Sequence, residues 1–530
     1  MPVILGIDLG TTKSCVAVFK DGTIEVIESS DYGNRTVPSR VAFDDRHEKP
    51  LVGEAAFTSR NPANTIYGLK RLIVLATQSD SLPRPSNVVD RKYQPSIKVI
   101  HCNEEKELSP EKISAYVLRK LIDDAKARLR ASEIEAVIPV PVGFTYEQRL
   151  HTKMAGTLAG LKKTYLISEP TAAALSYGLE RRVIGKRTVL VFCLGGGTFG
   201  VSVVAVDDVN FVVQGSGGKS TVGGTDIDNV IVHHVVQEIK TAKNIDVSGD
   251  PRKMQRLLST CEKAKRQLSC TVQSHIDLEP VLNEDFTLLL TQAKVEELCQ
   301  EVFAEIREEI DNALQHAKIK AGDIDEITLV GGAARMPAVV RLLTDKFPGK
   351  HIGRTVLYDE AVAHGAALWA AHLAGDTSDA LRGLTLDDPY AEQEANVGPP
   401  NKKRSSDSRR GQSELGRGEA THPASSVDYD AGKDSSSSDP LPTGTGHGGT
   451  ELLPDKMKKR GDQPTKQQGQ AKASQGPPET RPTSGTHMNG PTQVEQCAGK
   501  TKDKHKNSRS VKRPTGCLEL LEECNECNVL

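Results

Sequence analysis

The chain has 530 residues, a net charge of −2 and 10 cysteines. The near-neutral balance excludes a whole-chain pull toward nucleic acid or anionic lipid, and no run of about 18 apolar residues is present to span a bilayer. Cys15, Cys102, Cys193, Cys261, Cys270 and Cys299 lack the spacing of a disulfide framework, which fits a reduced, cytoplasmic or nuclear compartment.

The opening Met-Pro-Val-Ile runs straight into an apolar strand, Val3 to Ile7, with no basic leader region before it. That strand ends in a Gly-rich turn. Ser109-Pro110 predicts a helix start, because Ser caps well and Pro suits the first turn. Ile113, Val117, Leu118, Leu121 and Ile122 then keep to one face. Val295, Leu298, Val302, Ile306 and Ile310 predict one long helix from about Gln292 to Lys318. Strands alternating with helices give an α/β class.

A repeat sets the architecture. Ile4-Leu5-Gly6-Ile7-Asp8-Leu9-Gly10-Thr11-Thr12 is a buried strand running into a Gly-Thr turn, and Val189 to Thr198 repeats the design. A second strand follows each turn, Cys15 to Phe19 and Val201 to Ala205. Two such hairpins predict two similar lobes facing across a cleft. Glycines let backbone N–H groups approach a phosphate, and Thr adds a hydroxyl donor. Either turn alone reads more readily as a plain hairpin turn; the pair, at matching positions of a repeat, reads as phosphate loops.

These residues resemble the nucleotide-binding domain of the 70-kilodalton heat-shock protein family. The likeness is carried by Gly6 to Thr12, by Leu194-Gly195-Gly196-Gly197-Thr198-Phe199, and by Leu329 to Pro337. Glu169-Pro170-Thr171-Ala172-Ala173-Ala174, Gly223-Gly224, Glu262 to Ser269, and Asp359 to Ala363 stand between or after them in the family's order. The resemblance implies a two-lobed actin-like ATPase fold with duplicated ribonuclease-H-like cores. It implies ATP or ADP as ligand, with Mg²⁺ held through water near Asp8 and K⁺ as a further ion. Gly10, Thr11, Thr12, Gly196, Gly197 and Thr198 would cradle the phosphates. Lys70 matches the catalytic lysine, which would face the γ-phosphate, and Glu169 the carboxylate that holds the water and ion shell; Thr198 joins them as a catalytic candidate. Glu262, Lys265, Arg266 and Ser269 match the adenosine clamp. Gly223, Gly224, Gly331, Gly332, Arg335 and Asp359 complete the nucleotide pocket, and Pro141 matches an inter-lobe switch proline. Without the family, Lys70 is one lysine among many and the clamp is an ordinary charged helix face.

Departures from the family carry as much weight. Cys193 and Gly200 stand where the second signature has aspartates. Losing one such electrostatic contributor costs about 2.7–4 kcal/mol, or roughly 10²–10³ in rate, and effects at one site are not additive. Lys13 replaces a tyrosine beside the first phosphate loop, where it could meet a phosphate or point to solvent. Tyr165 replaces an arginine that contacts J-domain co-chaperones, so coupling to them is not expected to follow the family.

The expected layout is a nucleotide-binding domain over residues 1–376, a linker-like segment over 377–390, and a low-complexity tail over 391–530. The tail has too few apolar residues to fold and shows no alternating strands for the family's peptide-gripping sandwich. Its basic runs, Lys402 to Arg404, Lys458 to Arg460 and Lys500 to Arg513, read as solvated chain, a nuclear-import signal or a contact to anionic surfaces. Cys527-Asn528-Val529-Leu530 fits a prenylation box loosely and would tether the chain to a membrane; Cys524 and Cys527 as a metal or redox pair, or chance, are the rivals.

The expectation is a divergent heat-shock-type ATP-binding domain with weak or lost hydrolysis, acting with other chaperones or co-chaperones as cofactor or regulator. An active chaperone ATPase that assists folding in the stress response is the alternative. Small-molecule kinases of the actin-like superfamily share the two loops, but no aspartate stands out here for a sugar hydroxyl.

Overall fold

A computed structural model describes residues 3–391 apart from 60, 62–63, 76–87, 92–93, 182–184, 354–356 and 390. The tail motifs and the Cys527 box lie outside the described residues. Those described belong to one compact unit.

The repeat seen in the sequence is a repeat of topology. In the first lobe the strands lie in the order Thr164–Ser168, Ile134–Val140, Val3–Asp8, Lys13–Lys20 and Thr23–Val26. The first three run parallel and the last three form two antiparallel hairpins. The second lobe repeats this with His351–Gly353, Glu326–Val330, Lys186–Leu194, Phe199–Asp207 and Asn210–Lys219. This duplicated core is the two-lobed actin-like fold. Ile134–Val140 is buried along its whole length, as a central parallel strand covered on both faces must be.

Helices cover the sheets. Pro110–Leu129 starts at Ser109, whose hydroxyl accepts from the Lys112 N–H, and packs its buried Ile113, Val117, Leu118, Leu121 and Ile122 inward. Between the lobes, Glu169–Arg181 crosses Ala361–Leu373. The latter is buried from Ala361 to Ala371, and its run of Ala and Gly lets backbones come close. Trp369 anchors the shared apolar cluster with Tyr177 and Phe211, where each large side chain removed from water contributes about 1.5–3 kcal/mol.

Two elements differ from expectation. The helix expected from Gln292 to Lys318 is two helices, Gln292–Leu298 and Gln300–Ala317, meeting at Cys299. Cys299 sits at φ −99°, ψ 19°, outside helical geometry. Hydrogen bonds continue across it, from Cys299 N–H to Val295 O and from Phe303 N–H to Cys299 O, both 3.0 Å. Apolar periodicity cannot register a one-residue interruption that leaves the same side buried. Second, the linker-like stretch carries a strand, Thr385–Asp387, that adds in parallel to Asn210–Val212 as the outer strand of the second sheet. Leu381, Leu384 and Leu386 are buried there, and Asp388 Oδ2 accepts from Thr171 Oγ1 at 2.6 Å.

Candidate nucleotide site

Both Gly-Thr turns sit at the ends of buried strands, so the core fixes where they meet. Under the second turn, Phe192 and Phe199 pack with ring centroids 4.9 Å apart, holding the hairpin by its base. The two turns touch. A Cβ on Gly196 would lie 1.9 Å from Thr12 Oγ1, and one on Gly197 would lie 2.4 Å from Thr11 Cγ2. Glycine is required here by close approach. Gly224 N–H donates to Gly195 O at 2.9 Å and Thr225 N–H to Gly196 O at 2.7 Å, so the Gly223-Gly224 turn braces the second loop from behind. The first loop's Gly10 precedes the strand that begins at Lys13. Thr11 Oγ1 is buried without a hydrogen-bond partner, which suits a ligand acceptor such as a phosphate oxygen.

Lys70, Glu169 and Thr198 come from three separate elements and form one network. Lys70 is 4% exposed and donates to Glu169 Oε1, with Asp8 Oδ1 3.8 Å away. Thr198 Oγ1 donates to Glu169 Oε2 at 3.4 Å. Burial opposes the Lys70 ammonium, but the carboxylates of Glu169 and Asp8 overcome it and hold its pKa above the usual value. At Asp8 burial prevails: it raises the pKa from 3.8 to about 6 against the pull of Lys70.

Cys193 and Gly200, where aspartates were expected from the family, are direct cross-strand partners in the hairpin Lys186–Leu194 with Phe199–Asp207. Cys193 is buried, and burial followed by the charges of Glu169 and Asp8 pushes its thiol well above the ordinary range. It is therefore a neutral thiol at physiological pH. Gly200 has Pro170 beside it, 3.2 Å from where a Cβ would stand.

The other expected site residues each have a defined contact within the fold. Lys13 pairs at the surface, where its ammonium donates to Asp359 Oδ2 at 3.2 Å. Lys265 donates to Asp228 Oδ2 at 2.8 Å and to Gly224 O at 3.0 Å. Arg266 donates to Glu262 at 2.8 Å on the helix Pro251–Gln267. Ser269 lies just past that helix, its N–H bonded to Arg266 O. Gly331 N–H donates to Tyr358 O at 3.1 Å, Gly332 opens the short turn Gly332–Arg335, and the Arg335 guanidinium stacks 4.0 Å over Tyr358. Arg266 and Arg335 offer flat cationic faces of the kind that stack on a base. Pro141 is buried after the strand Ile134–Val140, and Tyr165 is buried with its hydroxyl donating to Glu135 at 3.2 Å.

Sequence reasoning missed Arg71. It follows Lys70 on the helix Leu69–Leu75 of the first lobe and reaches across into the second. Its Nε donates to Gly197 O at 3.0 Å, Nη2 to the same carbonyl at 2.9 Å and to Thr221 O at 3.2 Å, and Nη1 to Asp226 Oδ1 at 2.9 Å. No motif marks it; the signal was its place beside Lys70. Asp226 and Asp228, on the helix Gly224–Lys243, were missed with it.

Asp8 and Glu169 could meet a hydrated magnesium ion, as Mg²⁺ prefers to keep its waters, whereas Cys193 and Gly200 offer it no oxygen. Among the described residues no three His, Cys, Asp or Glu side chains converge on a point. The carboxylates of Asp8 and Glu169 would suit an ion held through its own waters.

The sequence pattern of the Hsp70 protein family matches residues 4–390. A heat shock 70 kDa protein of Neurospora crassa is 44% identical over 386 residues, covering 71% of this chain and 59% of that protein. Heat shock 70 kDa protein 2 of Paracoccidioides lutzii is 43% identical over 386 residues, with the same coverage. The heat shock 70 kDa protein of Emericella nidulans is 44% identical, again over 71% of this chain and 59% of its own length. The match thus spans somewhat over half the length of these relatives. Together with the duplicated fold, it shows that the chain belongs to the Hsp70 family.

Proposed function

We propose that the chain binds ATP and ADP between its lobes, hydrolyses ATP weakly or not at all, and serves other chaperones or co-chaperones as a nucleotide-stabilised cofactor or regulator. One observation carries this reading. The loops, the Lys70–Glu169–Thr198 network and both guanidinium faces are in place, while the hairpin beside Asp8 carries a neutral thiol and a bare glycine.

The division of labour follows. Thr11, Thr12 and the backbone of Gly196 and Gly197 hold the phosphates. Lys70, kept charged by its carboxylates, faces the terminal phosphate, and Glu169 orients water through its free lone pairs. A magnesium ion, when bound, neutralises phosphate charge. Phosphoryl transfer depends on such placed charges, and two of the family's are missing here. Retention of Lys70, Glu169 and Thr198 favours the second reading, a slowly cycling chaperone ATPase.

J-domain coupling is weakened on this reading, because Tyr165 is tied to Glu135 and presents no guanidinium. The free cysteines of the described residues support a reduced, cytoplasmic or nuclear setting. No helix of the described residues is long and apolar enough to cross a membrane; a tether through Cys527 remains a proposal from the tail sequence.

The test is calorimetry of the full chain with ATP and Mg²⁺ beside single-turnover phosphate release, with C193D/G200D as internal control. Binding without release, and release restored in the double variant, supports the proposal. Turnover in the native chain that the double variant does not improve sinks it in favour of the working ATPase.

A further inference from the structure

The helix Tyr146–Ala159 buries one side and leaves a row of apolar side chains on the other exposed. Gln148, Thr152, Ala155, Gly156 and Ala159 are buried, facing the helix Pro110–Leu129. On the outer side Tyr146 is 72% exposed, Leu150 46%, Met154 45% and Leu158 47%. Four large apolar side chains at four-residue intervals form a single ridge along the helix. The ridge is presented rigidly, because Thr145 and Gln148 close a capping box at the helix start. It takes no part in the nucleotide site, and solvated apolar rows of this kind mark interaction surfaces.

The charge beside the ridge is mainly basic. From Tyr146 to Lys163 the sequence carries Lys153, Lys162 and Lys163 against the single carboxylate of Glu147, while the Arg149 guanidinium is turned inward, donating to Phe144 O at 3.2 Å. Arg119 of the neighbouring helix adds a guanidinium at the far end, donating to Leu158 O at 2.5 Å. Lys162 pairs with Glu133 at 2.8 Å, but both side chains are more than half exposed, and such surface pairs exchange partners at little cost.

We propose that this ridge docks an amphipathic helix of a partner protein, with a leucine row facing Tyr146, Leu150, Met154 and Leu158 and flanking Asp and Glu residues facing the basic rim. A ridge one side chain wide fits the groove between two rows of a helix. A lipid surface would call for a broad apolar face that sinks below the headgroups. Tyr146 supplies a rigid amphipathic anchor and Met154 an adaptable one. The acidic flanks choose the partner, since a basic helix would meet like charge.

The probe is a synthetic amphipathic peptide of about 20 residues, long enough to hold a helix, with leucines on one face and glutamates beside them. Its control carries lysines instead. With the full chain, fluorescence anisotropy should show the glutamate peptide binding at least roughly tenfold more tightly than the lysine peptide, and hydrogen exchange should slow across residues 146–159. L150D/M154D should weaken binding by roughly tenfold or more, and K162E/K163E should shift preference toward the lysine peptide, both with nucleotide affinity unchanged. The proposal is overturned by equal binding of both peptides, by binding that survives L150D/M154D, by binding to anionic vesicles in place of the peptide, or by self-association of the chain that L150D/M154D abolishes.

Discussion

Cys193 and Gly200 face each other across one hairpin, at the first cross-strand pair below Leu194 and Phe199, where the second Gly-Thr turn begins. The two residues thus form a single structural unit. Both stand on the side of the sheet that meets Glu169 and Pro170, as the influence of Glu169 on the Cys193 thiol and the contact of Gly200 with Pro170 both show. One carboxylate restored alone would face an empty partner position.

Cys193→Asp should therefore destabilise the nucleotide-free protein and make it lean on the ion. The new carboxylate would be buried beside Asp8 and Glu169, and an uncompensated buried charge costs roughly 3–5 kcal/mol. Thermal unfolding should show a lower Tm for the variant without nucleotide, and a larger rise on adding Mg²⁺ with ADP than the native chain shows. Equal rises in both would mean that the position does not sense the ion.

Arg71 offers a test of how the lobes are held. It spans from the helix of Lys70 to the carbonyls of Gly197 and Thr221 and to Asp226. Arg71→Ala frees the second loop from the first lobe, and stopped-flow release of a fluorescent ADP should accelerate, on the order of tenfold for loss of a charge-assisted, multiply bonded contact. Arg71→Lys should recover little, because an ammonium cannot reproduce the planar fork. Release rates that match the native chain in both variants would remove Arg71 from the inter-lobe contact.

Much of this was legible in the sequence. The strand–turn–strand repeat gave both hairpins, and Ser109-Pro110 marked its helix start. Hydrophobic runs and Gly-Thr turns are local, so spacing reveals them. Arg71 was not legible, because its partners Gly197, Thr221 and Asp226 are more than a hundred residues away and carry no shared pattern. The docking of Thr385–Asp387 was missed for the same reason: a three-residue strand is defined by the sheet edge that receives it. Lys13 could be read toward phosphate or solvent, and only the fold puts Asp359 within its reach.

The pH dependence of stability should bear the mark of two raised carboxyls. Burial moves Asp228 from 3.8 to about 6 against the pull of Lys265, and Asp8 likewise. Between those values the folded chain keeps a proton that the unfolded chain has lost. The stabilising share is complete below the unfolded pKa and disappears as pH rises through the folded one. Nucleotide-free stability should fall between about pH 4 and pH 6, by up to about 1.4 kcal/mol per unit for each group. Glu360, where bonds from Arg35 and His364 outweigh burial and hold the pKa at about 2, acts with the opposite sign below that window. Asp228→Asn should roughly halve the slope, while Lys265 keeps Gly224 O as acceptor. Denaturant unfolding across the window decides it; a slope unmoved by the variant would show that Asp228 titrates normally.

The strand Thr385–Asp387 gives the last test. Its hold on the second sheet has two parts: apolar burial of Leu381, Leu384 and Leu386, and the bond from Thr171 to Asp388. Thr171 lies on the helix Glu169–Arg181, two residues after Glu169, so the docked strand is joined through one turn of helix to the carboxylate that binds Lys70. Leu386→Ala removes a buried side chain worth roughly 2–5 kcal/mol, more than a short outer strand can lose and stay paired. Trypsin should then cut faster at the exposed Arg382. If docking steadies Glu169, bound nucleotide should in turn slow that cutting in the native chain, since linkage acts in both directions. Asp388→Asn keeps the apolar contacts and should leave cutting in the nucleotide-free protein close to native while weakening the protection by nucleotide. Protection that persists in Asp388→Asn would locate the coupling in the apolar contacts, and cutting at Arg382 that ignores both Leu386→Ala and nucleotide would mean that this strand does not communicate with the site.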